Sequence, residues 1–226
     1  MDIVKDRLLP FFLILLLCIP LLFIEKTQFI FFVNSLRTPF WDLFFIKSSA
    51  LGNAVTVIFA MLLVLRFKFK WLAIFLIAFA IQVVIVVLFK KGIYHGELRP
   101  YLYFKRSHLL PLINLVEGVK MRHVNTFPSG HTATIFFLVS FFALLARNKV
   151  ATWVLLLVGL VVGFSRIYLV QHWYADVYFG MLFGIASSVM GYLLVKRYPK
   201  VWHKKRITIN IQEILQNTQN AFRHLF

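Results

Sequence analysis

Acidic residues are scarce in this 226-residue chain: eight Asp and Glu stand against 25 Lys and Arg, a formal net charge of +17. Cysteine occurs once, as Cys18 inside an apolar run, so no intrachain disulfide can staple the fold. Proline and glycine are thinly spread, and no Pro-rich or Gly/Ser-rich linker divides the chain into domains. No internal repeat is visible either, and no small-x-small cleavage site follows the first apolar run, which therefore reads as a retained helix.

Apolar residues are plentiful. They make up 61% of the chain, and the mean hydropathy of +0.82 exceeds what a soluble domain needs for its core. The sequence thus predicts an all-α integral membrane protein. Six apolar segments can be read, at 8–24, 50–65, 71–89, 128–146, 150–167 and 176–195, and the shorter ones must borrow flanking residues to reach the roughly 20 needed for a crossing. The stretch between the first two mixes aromatic and polar residues, as in short helices lying at the interface. One domain of six transmembrane helices is expected over 1–206, followed by a basic, weakly amphipathic tail over 207–226.

The positive charge sits in clusters between apolar runs, which favours anionic lipid over nucleic acid as a partner. With six crossings, "RFKFK", "RNK" and "KRYPKVWHKKR" fall on the side of both termini, which makes that side cytoplasmic. The long loop over about 90–127 is nevertheless basic and lies on the opposite side, where its cations could meet a phosphate-bearing substrate.

Three polar stretches fall on that outer face: "KKGIYHGELRP", "FPSGH" and "SRIYLVQHWYAD". In the second, Pro128 suits a first helical turn, and the free N–H groups there suit an anion. Ser129 and Gly130 could then bind phosphate oxygens beside His131, although the tetrapeptide alone reads equally well as a helix cap. In the third, His172 and Asp176 lie four residues apart and face the same way on a helix. The carboxylate could fix the imidazole tautomer that leaves the other nitrogen free to attack, or the pair could only tie helix ends together. Arg166 offers a permanently charged fork for phosphate, or a snorkelling helix end. A divalent cation would be repelled by Arg99, Arg166 and Lys90 or Lys91, so a metal-free anion site with no cofactor is expected.

Taken together these stretches resemble the type 2 phosphatidic acid phosphatase family, which shares its site with bacterial acid phosphatases and vanadium haloperoxidases. The family pattern is Lys, six residues, Arg-Pro; then Pro-Ser-Gly-His; then Ser-Arg, five residues, His, three residues, Asp. Residues 128–131, Ser165-Arg166, His172 and Asp176 match without a gap. Arg99-Pro100 is present too, but the lysine position falls on Gly92; Lys91 is one residue early, with Lys90 as its substitute.

The resemblance implies that His172 attacks phosphorus and that His131 protonates the leaving oxygen. Lys91, Arg99, Ser129, Gly130 and Arg166 would hold the remaining oxygens. The expected substrate is a lipid phosphate or diphosphate whose tail stays in the bilayer: isoprenyl diphosphate such as undecaprenyl diphosphate first, with phosphatidic acid, phosphatidylglycerol phosphate and lipid A as unranked alternatives. A non-enzymatic transporter or lipid-binding protein is the alternative from another class.

Overall fold

In the computed structural model, which describes residues 2–146 and 148–205, the polar opening residues join the first apolar run. Helix α1 spans Asp2–Cys18 and tightens into a 3-10 turn over Ile19–Phe23, where Pro20 has no N–H to give. Helix α2 (Lys26–Ser35) is capped by the Glu25 carboxylate, which accepts from the N–H groups of Thr27 and Gln28. Helix α3 (Pro39–Ala50) starts on a proline behind the Thr38 cap. After a turn at Gly52 it continues as α4 (Ala54–Val64), and the two are bent by 53°.

α2 and α3 are the short helices expected before residue 50, and α3 and α4 together are apolar and long enough for one broken span or a re-entrant loop. Helix α5 (Phe69–Val87) runs on into a single π turn over Leu88–Ile93. A short α6 (Pro100–Arg106) lies in the long loop, and α7 (Gly130–Leu145), α8 (Lys149–Tyr168) and α9 (Tyr174–Arg197) follow. The described residues contain no strand, only an isolated antiparallel bridge between Leu98 and Val124.

Among the described residues four helices are long and apolar enough to cross a membrane: Ile3–Phe23, Phe69–Ile93, Lys149–Tyr168 and Tyr174–Arg197. α7 is shorter, and it is buried nearly all round, packed by α9, α8, α5 and α1. Bulky side chains on the outer helices face outward, among them Leu17 on α1, Phe59 on α4 and Leu157 on α8. Water would oppose that arrangement and lipid does not, so the protein is a membrane protein. The tail expected over 207–226 lies outside the described residues.

The α7–α9 crossing is set by small residues. A Cβ on Gly180 would lie 2.9 Å from the Ser129 carbonyl oxygen, and one on Gly184 would lie 2.5 Å from that of Ala133. One turn further on, Ser188 Oγ donates to the Phe137 carbonyl at 2.9 Å and accepts from Ser140 Oγ at 2.8 Å. Gly180, Gly184 and Ser188, spaced four apart, thus form one packing face, and the contact at Ser129 brings it to the first turn of α7.

Candidate active site

α8 ends in a tight reversal. Gln171 N–H donates to the Arg166 carbonyl at 2.9 Å and His172 N–H to the same oxygen at 3.2 Å. Val170 at the turn has φ of 56°, a conformation usually left to glycine and costly for a β-branched residue. Its side chain is buried in the apolar cluster beneath the loop, which offsets that strain. The reversal aims His172, 1% exposed, back over the start of α9.

Asp176 holds this start together. Its Oδ2 accepts from Trp173 N–H at 2.9 Å, satisfying a free donor of the first turn, and lies 3.2 Å from His172 Nδ1. The Thr126 hydroxyl donates to the same oxygen and its Oγ1 lies 3.4 Å from Nδ1. The carboxylate can only accept, so Nδ1 carries the ring proton. Across the ring, Nε2 lies 3.1 Å from Arg99 Nη1, a donor, so its lone pair faces the guanidinium.

Arg99 is anchored by backbone oxygens. Its Nη1 donates to Gln171 O at 2.9 Å and its Nε to Val124 O at 3.1 Å, while its own N–H donates to His123 O at 2.9 Å. Burial first, and then the nearby Arg122 charge, lower its pKa to about 10, so it remains a cation at neutral pH. Burial also holds His172 well below its ordinary 6.5, helped by Arg99, Arg166 and Lys90. His172 is thus neutral at pH 7 and would gain a proton only well below 6.5.

That sign gives a prediction. The imidazole of His172 should show no protonation step as pH falls through 6.5. An NMR titration of the labelled histidines in detergent, with His172→Ala to assign the signal, checks it.

The "PSGH" stretch meets this cluster through its backbone: Ser129 N–H donates to the Asp176 carbonyl at 2.9 Å, locking the start of α7 to α9. Ser129 Oγ caps α7, accepting from Thr132 Oγ1 at 2.8 Å and Thr132 N–H at 3.4 Å. Both bonds use the oxygen as acceptor, which leaves its own proton for an anion. The cap reading and the anion reading of the tetrapeptide are therefore compatible. His131 stands half-buried on the same turn.

Among the cations, Arg166 is 7% exposed; its Nη1 donates to Ser49 Oγ of α3, and its Nε has no partner among the described residues. The structure places Lys91 and its substitute Lys90 differently. Lys91 is exposed, whereas Lys90 Nζ lies 3.8 Å from where a side chain on Gly130 would begin. The reason is the π turn, in which Tyr94 N–H donates to the Phe89 carbonyl at 2.8 Å. Its extra residue per turn changes which side chains of this segment face the bundle, and Lys90 rather than Lys91 lies on the inner side.

Three contributors carried no sequence signal. Thr126 and Ser49 are isolated hydroxyl residues with no motif around them. Gly52 matters for its missing side chain, since a Cβ there would lie 2.8 Å from His131 Cβ and 2.9 Å from the His131 carbonyl oxygen. The bend between α3 and α4 is thereby seated against the first turn of α7.

A family model for the PAP2 superfamily matches residues 71–200, more than half of the chain and all of the residues just described except Ser49 and Gly52. The chain belongs to the PAP2 superfamily. A lipid A 4'-phosphatase of Bacteroides thetaiotaomicron is 27% identical over 177 residues, 76% of this chain and 77% of that protein. Two solved structures share the fold. The crystal structure of LpxE from Aquifex aeolicus has a TM-score of 0.63 and 24% identity, over 74% of this chain and 93% of that one. The first transmembrane PAP2 type phosphatidylglycerolphosphate phosphatase from Bacillus subtilis has a TM-score of 0.59 and 16% identity, over 87% and 99%. This PAP2 protein is thus a phosphatase of the membrane lipid phosphatase kind.

Proposed function

We propose that this PAP2 phosphatase removes a phosphate from a lipid by way of a phosphohistidine on His172, without a metal ion. The observation that carries the reading is the oriented imidazole: Nδ1 is held by Asp176, and Nε2 presents its lone pair beside the buried guanidinium of Arg99. In the first step Nε2 forms a bond to phosphorus as the ester oxygen departs, and His131 gives that oxygen a proton. In the second, water attacks the phosphohistidine, His131 accepts a proton, and inorganic phosphate leaves with Nε2 restored. Lys90, Arg99, Arg166, the Ser129 hydroxyl and the Gly130 N–H would hold the non-bridging oxygens.

Cations outnumber carboxylates in this cluster, which suits a phosphate dianion and repels a divalent cation. For the substrate, a lipid A-type phosphate monoester stands first, because the lipid A 4'-phosphatase relative aligns over three quarters of both chains. Isoprenyl diphosphate, the first expectation from the sequence, stands second, ahead of phosphatidylglycerol phosphate and phosphatidic acid. The basic connections on the side of the termini support a six-crossing topology in a bacterial inner membrane with the site on the periplasmic side. The broken α3–α4 pair and the buried α7 would supply the two crossings beyond the four long helices.

Phosphate release from each of these four lipids by the purified protein in detergent, with EDTA present, tests the reading. Release is expected, fastest from the lipid A-type monoester, and it should vanish in His172→Ala. Lack of release from all four would overturn it, and release that stops with EDTA would overturn the metal-free step.

The lysine assignment has its own test. Lys90→Met should lower kcat/KM by about 100-fold, as expected for loss of one preorganised cation. Lys91→Met should stay close to wild type, and the reverse ranking would restore Lys91.

A further inference from the structure

The helices that converge on the catalytic residues also frame a second concavity at their other ends. Lys70 near the start of α5 and Lys90 near its end are 20 residues apart, about 30 Å along a helix. Around Lys70 opens a cavity of about 800 Å³ between the start of α5, the end of α7 and the end of α9. Its rim is cationic from two sides: Arg66, Lys68 and Lys70 enter from the α4–α5 turn, and Lys196, Lys200 and Lys204 from the end of α9. Among the described residues no Asp or Glu lines it.

The floor is different in kind. Ile74 and Tyr192 are buried there, and Trp71 packs its ring toward Tyr192 at 6.5 Å. The two sides are tied together by Phe69 N–H, which donates to the Lys205 carbonyl at 3.0 Å, and the turn after α9 is closed by Lys200 N–H donating to His203 Nδ1 at 3.1 Å. An apolar, aromatic floor under a ring of lysines matches a molecule with hydrocarbon at one end and negative charge at the other.

We propose that this cavity is a binding site for an anionic phospholipid of the leaflet facing away from the catalytic site. The headgroup phosphate lies among Lys68, Lys200 and Lys204, and an acyl chain runs over Trp71 and Ile74. A free anion would use only the rim and leave the floor wet. The chain beyond residue 206 is a weaker occupant by charge, because it carries a single acid, Glu213, against Arg223 and the basic residues before it.

The test is native mass spectrometry of the full chain released from detergent micelles, titrated with dioleoyl phosphatidylglycerol, dioleoyl phosphatidylcholine or inorganic phosphate. Phosphatidylglycerol should bind at least roughly tenfold more tightly than phosphatidylcholine. Binding should weaken to a similar degree in Lys68→Gln/Lys200→Gln/Lys204→Gln and be unchanged in Lys105→Gln/Arg106→Gln/Lys120→Gln, which removes the same charge from the other end. It should also persist in His172→Ala, so that it does not depend on turnover or on the catalytic reading.

Equal binding of the two lipids, equal weakening in both triple variants, or binding of inorganic phosphate as tight as that of phosphatidylglycerol would each overturn the site. Phosphatidylglycerol that binds only after removal of residues 207–226 would overturn it in favour of that segment as occupant.

Discussion

Turnover is expected to fall by roughly 10^4-fold or more when His172 is replaced by alanine, as for loss of a nucleophile that acts with its base as a unit. The imidazole is buried, its Nδ1 is held at 3.2 Å by Asp176 and its Nε2 faces the guanidinium that would receive the phosphate. The Ser129 oxygen already accepts two hydrogen bonds as the cap of α7, which suits it to donate its proton rather than to attack. Asp176→Asn should cost less, about 10^2- to 10^4-fold, because it leaves the ring in place but no longer enforces the Nδ1–H tautomer. Both are read as lipid phosphate release in detergent, beside thermal unfolding to establish that the variants fold. A His172→Ala protein that keeps more than about a hundredth of wild-type turnover would remove this residue from the chemistry.

Gly184→Leu should give a protein that fails to hold its bundle in detergent. Even the first carbon of a side chain would sit 2.5 Å from the Ala133 carbonyl oxygen and 2.7 Å from the Phe137 nitrogen, and backbone cannot move aside as a side-chain tip can. α7 and α9 would have to separate, and their separation reaches the site because Ser129 N–H and the Asp176 carbonyl bridge the same pair of helices at 2.9 Å. Gly184→Ala should already cost about 1–3 kcal/mol and lower both the unfolding midpoint and turnover. Gly92→Ala is the control, since a Cβ there meets only Leu88 Cδ1 at 3.6 Å. Similar stability of Gly184→Leu and wild type would mean that the two helices cross elsewhere.

The contrast between these residues shows what the sequence exposes. His172 and Asp176 share one helical turn and Pro128 to His131 are contiguous, so their relation is local and spacing alone displays it. The small face of α9 is legible for the same reason, since Gly180, Gly184 and Ser188 recur every four residues. The choice between Lys91 and Lys90 stayed open because motif spacing carries no information about the π turn that decides which of them faces inward. Thr126, Ser49 and Gly52 act only across tertiary contacts, on Asp176, Arg166 and His131 respectively.

The segments read as 150–167 and 176–195 emerge as Lys149–Tyr168 and Tyr174–Arg197, because long apolar helices declare themselves by length and composition. The bend between α3 and α4 was not legible in the same way, since it rests on the contact of Gly52 with α7 rather than on length or composition.

Whether the reaction runs through His172 can be read directly by trapping the phosphoenzyme. An aryl phosphate needs little help from a proton donor to leave, so in His131→Ala it should load the protein faster than water can unload it. Alkaline quenching and peptide mapping should then place one acid-labile phosphate on His172, and none should be trapped in His131→Ala/His172→Ala. Label on any other residue, or label that survives loss of the His172 side chain, would contradict the phosphohistidine at the centre of this reading.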